Sequence, residues 1–256
     1  MPKPPERLLV FVLTVAIGLL LGACSSMPTN ADGSKVERSP ADPWEPLNRS
    51  IHKFNGGLDR VTLKPIAKGY QVVIPKFMRL GVTNFSRNLR STLNIINHLL
   101  QGKVREGFRQ TGRFVLNSTL GLGGLIDVGT LAGIEQINED FGQTLAVWGV
   151  PDGPYVVVPF LGPRTLRDAT MIPLNVLGDL LVHYDNTSVR DKLYLLRLID
   201  ARARLLSVGA HVEEAYDPYI RMREAYLQHR QNLIRDGVVP EDEDQYGDFP
   251  DPDEDY

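Results

Sequence analysis

Apolar and polar positions recur at helical spacing over most of the chain. From Trp44 to Asp59, Leu47, Ile51, Phe54 and Leu58 fall on one helical face. Asp42 stands before this segment, with Pro43 as its first helical residue. A second short helix is predicted between Lys64-Pro65 and Ile74-Pro75. Asn84 to Gln101 carries the period through Leu89, Leu93, Ile96 and Leu100, and Lys103 to Asn117 resumes it after Gly102. Thr165 to Val182 is apolar almost all round in its second half and is broken by Pro173 and Gly178. Val189 to Ala215 is long and amphipathic, and Tyr219 to Arg235 closes the pattern. The strand candidate is Tyr155 to Phe160, held between Pro154 and Pro163. No repeat is visible, and the class is mainly α.

One stretch departs from this amphipathic rhythm. From Phe114 to Ile134 the only charged residue is Asp127, yet five glycines and the Asn117-Ser118-Thr119 cluster interrupt the apolar side chains. A membrane-spanning helix needs roughly 20 predominantly apolar residues with less breakage. Glycine at this density implies sharp turns or close backbone approach, so the segment is expected to line or flank a cavity. Together with 169–182 it is hydrophobic on every face. Two readings stand. These are core helices of a water-soluble body, or helices lying in one leaflet or in a closed body embedded in a bilayer.

The N-terminus bears on that choice. Lys3 and Arg7 precede an uncharged apolar run from Leu8 to Leu21, the length of a signal-peptide core. It ends in Leu21-Gly22-Ala23-Cys24, which carries the only cysteine and resembles the lipobox of bacterial lipoproteins. Residues 1–23 are therefore expected to be removed and Cys24 acylated. With three chains it would anchor stably, because one chain alone is marginal. Ser25 rather than aspartate follows, which by the same resemblance directs the protein to the outer membrane. A single cysteine precludes an internal disulfide. Residues 24–41 read as a polar, turn-rich linker, 42–236 as the helical body, and 237–256 as an acidic disordered tail. The tail holds nine acids and no base from Glu241 onward; without it and the signal, the formal charge of −3 becomes about +5 for the remainder.

Catalytic chemistry is not apparent. His52, His98, His183, His211 and His229 are scattered without metal-ligand spacing, and no GxSxG elbow exists. Gly121-Leu122-Gly123-Gly124 lacks the flanking strand and third glycine of a dinucleotide loop. Asp127 and the Glu139-Asp140 pair are the remaining acids of interest, and such groups usually cap helices. Neither a cofactor, a metal nor a nucleic-acid partner is expected, and the chain is read as non-enzymatic.

An ordered series of motifs resembles the MlaA (VacJ) family of outer-membrane phospholipid-transport lipoproteins. It begins with Asp42-Pro43-Trp44-Glu45-Pro46-Leu47-Asn48-Arg49, Phe54-Asn55, Asn84-Phe85 with Asn88-Leu89, and Leu100-Gln101-Gly102. It continues with Arg113-Phe114, Asn117-Ser118-Thr119, Gly121 to Gly124, Asp127-Val128 and Asp140 to Leu145. It ends with Gly153-Pro154-Tyr155, Leu161-Gly162-Pro163, Leu166-Arg167-Asp168 and Asp217-Pro218-Tyr219. The resemblance implies a ring-like bundle of amphipathic helices embedded in the outer membrane around a central channel, with at most a short β-hairpin. It further implies removal of mislocalised phospholipid from the outer leaflet, a trimeric porin as scaffold, and a periplasmic MlaC-type carrier as receiver. On that reading Leu120, Leu122, Gly123, Leu125 and Ile126 form apolar channel wall, and Asn117, Ser118 and Thr119 a polar rim. A hairpin near Trp148–Tyr155 would gate the channel, with Gly149 and Gly153 as hinges ahead of Tyr155. Pro151 departs from the glycine some members carry there and would stiffen the gate. Ordinary turn geometry is the plainer reading of those glycines. The alternatives are a porin-associated structural lipoprotein and, further off, a lipid hydrolase.

Overall fold

The computed structural model describes residues 39–207, 209 and 215–237. Cys24, the signal segment, the linker up to residue 38 and the acidic tail from residue 238 lie outside the described residues.

The chain is mainly helical. In order it forms α1 (Glu45–Val61), α2 (Leu63–Val73), α3 (Lys76–Leu89), α4 (Ser91–Leu100), α5 (Val104–Thr119), α6 (Val128–Leu131) and α7 (Phe141–Val147). A hairpin of β1 (Tyr155–Val158) and β2 (Gly162–Thr165) follows, then α8 (Leu166–Thr170), α9 (Ile172–Leu177) and a 3-10 turn at Leu180–His183. The long helices α10 (Thr187–Arg204) and α11 (Pro218–Ile234) complete the described body. The two strands are antiparallel, with Tyr155 opposite Thr165 and Val158 opposite Gly162.

Several boundaries differ from the sequence pattern, each for a local reason. The first helix starts at Glu45 with Pro46 in its opening turn, because Asp42 is not a cap. Asp42 is fully buried and accepts from the Asn48 amide at 2.8 Å and from the Tyr219 hydroxyl. Ser39 and Ala41 already belong to the folded body, accepting from the amides of Asp42 and Tyr155. The predicted Asn84–Gln101 helix is two helices separated at Arg90, whose backbone angles stay near-helical. A break one residue wide leaves the apolar period intact and invisible. The apolar run after Thr165 is divided at Met171 and Gly178, with Pro173 in the opening turn of α9 rather than interrupting a longer helix.

The apolar core is small. Ile51, Tyr155, Val157 and Tyr219 pack together where α1 and α11 meet β1, with Leu47, Tyr226 and Leu227 around them. Two asparagines seven residues apart on α1 fasten the hairpin to it. Asn48 donates to the Tyr155 carbonyl at 2.9 Å and accepts from the Val157 amide at 2.9 Å. Asn55 donates to the Val158 carbonyl at 3.1 Å and accepts from the Phe160 amide at 2.9 Å. Asparagine suits this work because one uncharged side chain both donates and accepts.

Candidate functional site

Burial in this protein is inverted. Among the described residues, buried polar and charged side chains outnumber buried apolar ones. On α5 the buried positions are Gly107, Gln110, Arg113 and Asn117, while Phe108 and Val115 are exposed. On α4 the buried set includes Ser91, Asn94, Asn97 and His98, and Ile96, Leu99 and Leu100 are exposed. On α3, Thr83 and Asn88 are buried, with Phe77 and Leu80 open. In water the opposite arrangement is the norm. Apolar surface on this scale marks contact with lipid or with another protein.

Much of the polar interior is cross-linked by hydrogen bonds. Asn94 accepts from the Glu139 amide at 3.2 Å, and Asn97 accepts from the Thr144 hydroxyl at 2.6 Å. Asp140 caps α7 through the Gln143 amide at 3.0 Å and takes Arg230 in a bidentate pair at 2.6 and 2.7 Å. Arg230 also reaches Asp168, which accepts from the Tyr226 hydroxyl at 2.8 Å. Burial pushes the Asp140 carboxyl up, but Arg230 and the Gln143 amide outweigh it and hold it below the usual carboxylate range.

The glycine-rich stretch turns sharply between α5 and α6. Leu122, Gly123 and Gly124 take consecutive left-handed conformations. A Cβ on Gly121 would stand 2.3 Å from the Ile126 carbonyl and 2.5 Å from that of Asn117, so the chain nearly touches itself there. Asn84 and Asn88 of α3 hold the turn, donating to the Leu125 carbonyl at 3.3 Å and the Ser118 hydroxyl at 3.0 Å. Asp127 closes it, paired with Arg113 at 2.6 and 2.7 Å and capping α6 through the Thr130 amide. Burial raises the Asp127 carboxyl, and the bonds from Thr130 and Arg113 bring it below its ordinary value.

This arrangement sorts the sequence candidates. Leu122 and Leu125 line a cavity of about 250 Å³ with Phe85 and Leu89 of α3 and Leu193 and Leu196 of α10. Arg197 is the one charged residue in that lining, and it is paired with Asp179. Leu120 and Ile126 are exposed but lie outside the cavity lining. Gly123 has open space at its Cβ position. Asn117 is buried, accepting from the Gly129 amide at 2.7 Å and donating to Asp127 at 3.2 Å. Thr119 bonds back to the Val115 carbonyl of its own helix. The three polar residues thus bond to different partners, Ser118 to the Asn88 amide. Phe85, Leu193 and Leu196 were missed as cavity residues because helical periodicity assigns them a face without saying what lies opposite.

The β-hairpin falls one loop downstream of the Trp148–Tyr155 segment. Pro151 and Pro154 lack the N–H a ladder requires, and Gly149 and Gly153 take positive φ of 89° and 66°. The segment is a loop tied to α8: Arg167 donates to the Val150 carbonyl at 3.1 Å and pairs with Asp152 at 2.6 Å. Tyr155 begins β1 and packs in the apolar core. Glu139, the other candidate acid, pairs with Lys103 at 2.9 Å. His98 is fully buried beside it with both ring nitrogens unbonded. No group of three His, Cys, Asp or Glu residues among the described residues could hold a metal.

Comparison with known proteins gives this architecture a family. The model of the MlaA lipoprotein family matches residues 40–233. The chain is 35% identical to the intermembrane phospholipid transport system lipoprotein MlaA of Shigella flexneri over 235 residues, 90% of each chain. It is 34% identical to the protein of that name from Escherichia coli K12, again over 90% of each. A solved structure concerned with maintenance of bacterial outer membrane lipid asymmetry superposes with a TM-score of 0.68 at 34% identity. It covers 77% of this chain and all of the other. The chain belongs to the MlaA lipoprotein family.

Proposed function

We propose that this protein is a lipoprotein of the outer membrane that takes part in intermembrane phospholipid transport. It draws phospholipid out of the outer leaflet through the interior of its helical body and passes it to a soluble carrier of the MlaC type, with a trimeric porin as scaffold. The observation that carries this reading is the inverted burial: an apolar exterior around a polar, hydrogen-bonded interior with an apolar cavity inside. Moving each exposed Leu or Phe from water into lipid contributes about 1.5–3 kcal/mol, enough in sum to hold the body in a bilayer. No described helix is long and apolar enough to cross a membrane. The 16 residues of α5 extend about 24 Å, against a hydrocarbon core of about 30 Å. Helices lying within a leaflet around a polar interior fit those lengths. Acylation of Cys24 adds the anchor.

The channel serves this function because acyl chains need apolar wall and headgroups need polar partners. The cavity beside Leu122 and Leu125 supplies the first, and the interior polar side chains the second. The test is outer-leaflet phospholipid in cells lacking the protein, read with an outer-leaflet-specific phospholipase. The wild type restores the normal low level, whereas Leu125→Trp, which adds bulk to the cavity lining, fails at equal abundance. Normal clearance by Leu125→Trp would exclude passage through the interior. No rise on removing the protein would exclude the transport role and leave a scaffold.

A further inference from the structure

The cavity between α3, α10 and the glycine-rich turn has a mouth and a deep end. Leu122 and Leu125 line it while remaining 66% and 48% exposed, so it opens beside the turn. Leu181, 3% exposed, is its most deeply buried lining residue. Apart from Ser86 and Arg197 the lining is wholly apolar, and the Arg197 guanidinium is committed to Asp179. The wall therefore holds no uncommitted charge for a headgroup and too few polar atoms for a set of ordered waters. An apolar cavity of about 150 Å³ takes one benzene ring, so the volume of about 250 Å³ here has room for on the order of ten carbons. That is part of one long acyl chain, with no space beside it for the second chain of the same lipid. Leu122 supplies an independent observation. Its φ of 53° is left-handed, a conformation that a leucine adopts only against steric resistance. Glycine stands on both sides of it in the sequence and would take that angle freely. Burial within this chain does not offset the strain, because the side chain is mostly exposed. A strained, exposed leucine at the mouth of an apolar cavity points to a ligand that its side chain meets.

We propose that this cavity takes the end of a single acyl chain of a phospholipid, and that Leu122 packs over the chain at the mouth. The inference rests on the reading of the protein as a phospholipid transporter, and it names the part of the lipid that the site recognises. One chain enters, and the second chain and the headgroup stay outside. Recognition through an uncharged chain makes the site indifferent to headgroup charge.

The test uses the full, lipidated protein in vesicles of phosphatidylethanolamine and phosphatidylglycerol, with a tracer phosphatidylglycerol that carries a diazirine at the end of one chain. After illumination, mass spectrometry should place adducts on Leu181, Leu193 and Leu196. A tracer with the diazirine beside the glycerol should label the turn at Leu122 and Leu125 instead. Phosphatidylethanolamine tracers should give the same two patterns. Leu196→Trp, which adds bulk to the lining, should abolish chain-end labelling at Leu181. Leu122→Gly should lose most of that labelling yet melt no lower than the wild type, since relief of strain offsets the added freedom of its unfolded chain. Chain-end adducts confined to residues outside the lining, or undiminished labelling in both variants, would overturn this inference and leave the transport reading standing. That reading fails separately, if cells lacking the protein show no rise in outer-leaflet phospholipid. Labelling of the lining by a diazirine fatty acid but by neither phospholipid would overturn the assignment to phospholipid. A lower melting temperature for Leu122→Gly would show that the leucine is kept for the fold and would overturn its role at the mouth.

Discussion

Asparagine is the residue that assembles this body. Asn48, Asn55, Asn84, Asn88, Asn94 and Asn97 each tie a helix to a loop, strand or neighbouring helix backbone or hydroxyl. Asn48→Ala would leave the Val157 amide and the Tyr155 carbonyl with fewer partners in a buried place, and should cost about 2–3 kcal/mol in thermal or denaturant unfolding of the detergent-solubilised protein. The Arg230 cluster adds a pH signature. The Asp140 carboxyl titrates below its unfolded value, so its contribution is present above about pH 4 and is lost as pH falls through the folded pKa. Asp140→Asn should therefore destabilise by about 3 kcal/mol at pH 7, with the gap to wild type narrowing toward pH 3. His98 works at higher pH. Burial depresses it against the pull of Glu139, so stability falls as pH drops below about 6.5 and the unfolded state takes the proton. Replacing it by leucine should flatten the melting curve between pH 6.5 and 5. At this scale the sequence exposed identities but not partners. Asn84 and Asn88 stood out in the motif series, yet their bonds to the 118–125 turn link positions roughly 30 to 40 residues apart.

The helices show why apolar period is an incomplete guide. Leu47 and Ile51 on α1 do pack inward with the hairpin, as the spacing suggests. On α4 and α5 the same kind of period separates an apolar face from a polar one, and it is the polar face that packs. Periodicity defines two faces and leaves open which one meets the protein. The glycines around residue 121 were more informative, because crowding and left-handed angles restrict residue choice directly. At Gly124, with φ of +96°, an added Cβ would sit 2.5 Å from the Asn88 Cβ. Gly124→Ala should loosen the whole turn, costing about 1–3 kcal/mol and raising hydrogen exchange across residues 118–127 more than in α10. Equal exchange in the two regions would show that the turn does not depend on the α3 contact.

At the scale of the whole molecule, the inverted burial and the family assignment together support the proposed lipid-embedded body. Removing the acyl anchor should leave that body attached: Cys24→Ala, exported through an ordinary signal, is expected to stay in the membrane pellet after an alkaline carbonate wash. Recovery in the soluble fraction would assign all membrane attachment to the anchor. The sequence indicated mainly helical structure and the apolar excess; the sidedness of the helices awaited their packing. Nitroxide accessibility measures that sidedness most directly. Labels would go on single cysteines at Phe77, Phe108 and Leu131, all exposed, and at buried Asn94, in protein reconstituted into bilayers. The account predicts strong relaxation of the first three by oxygen dissolved in lipid, weak relaxation by a water-soluble nickel chelate, and little of either at Asn94. Strong nickel relaxation at Phe77, Phe108 and Leu131 would put the apolar exterior in water and contradict the account.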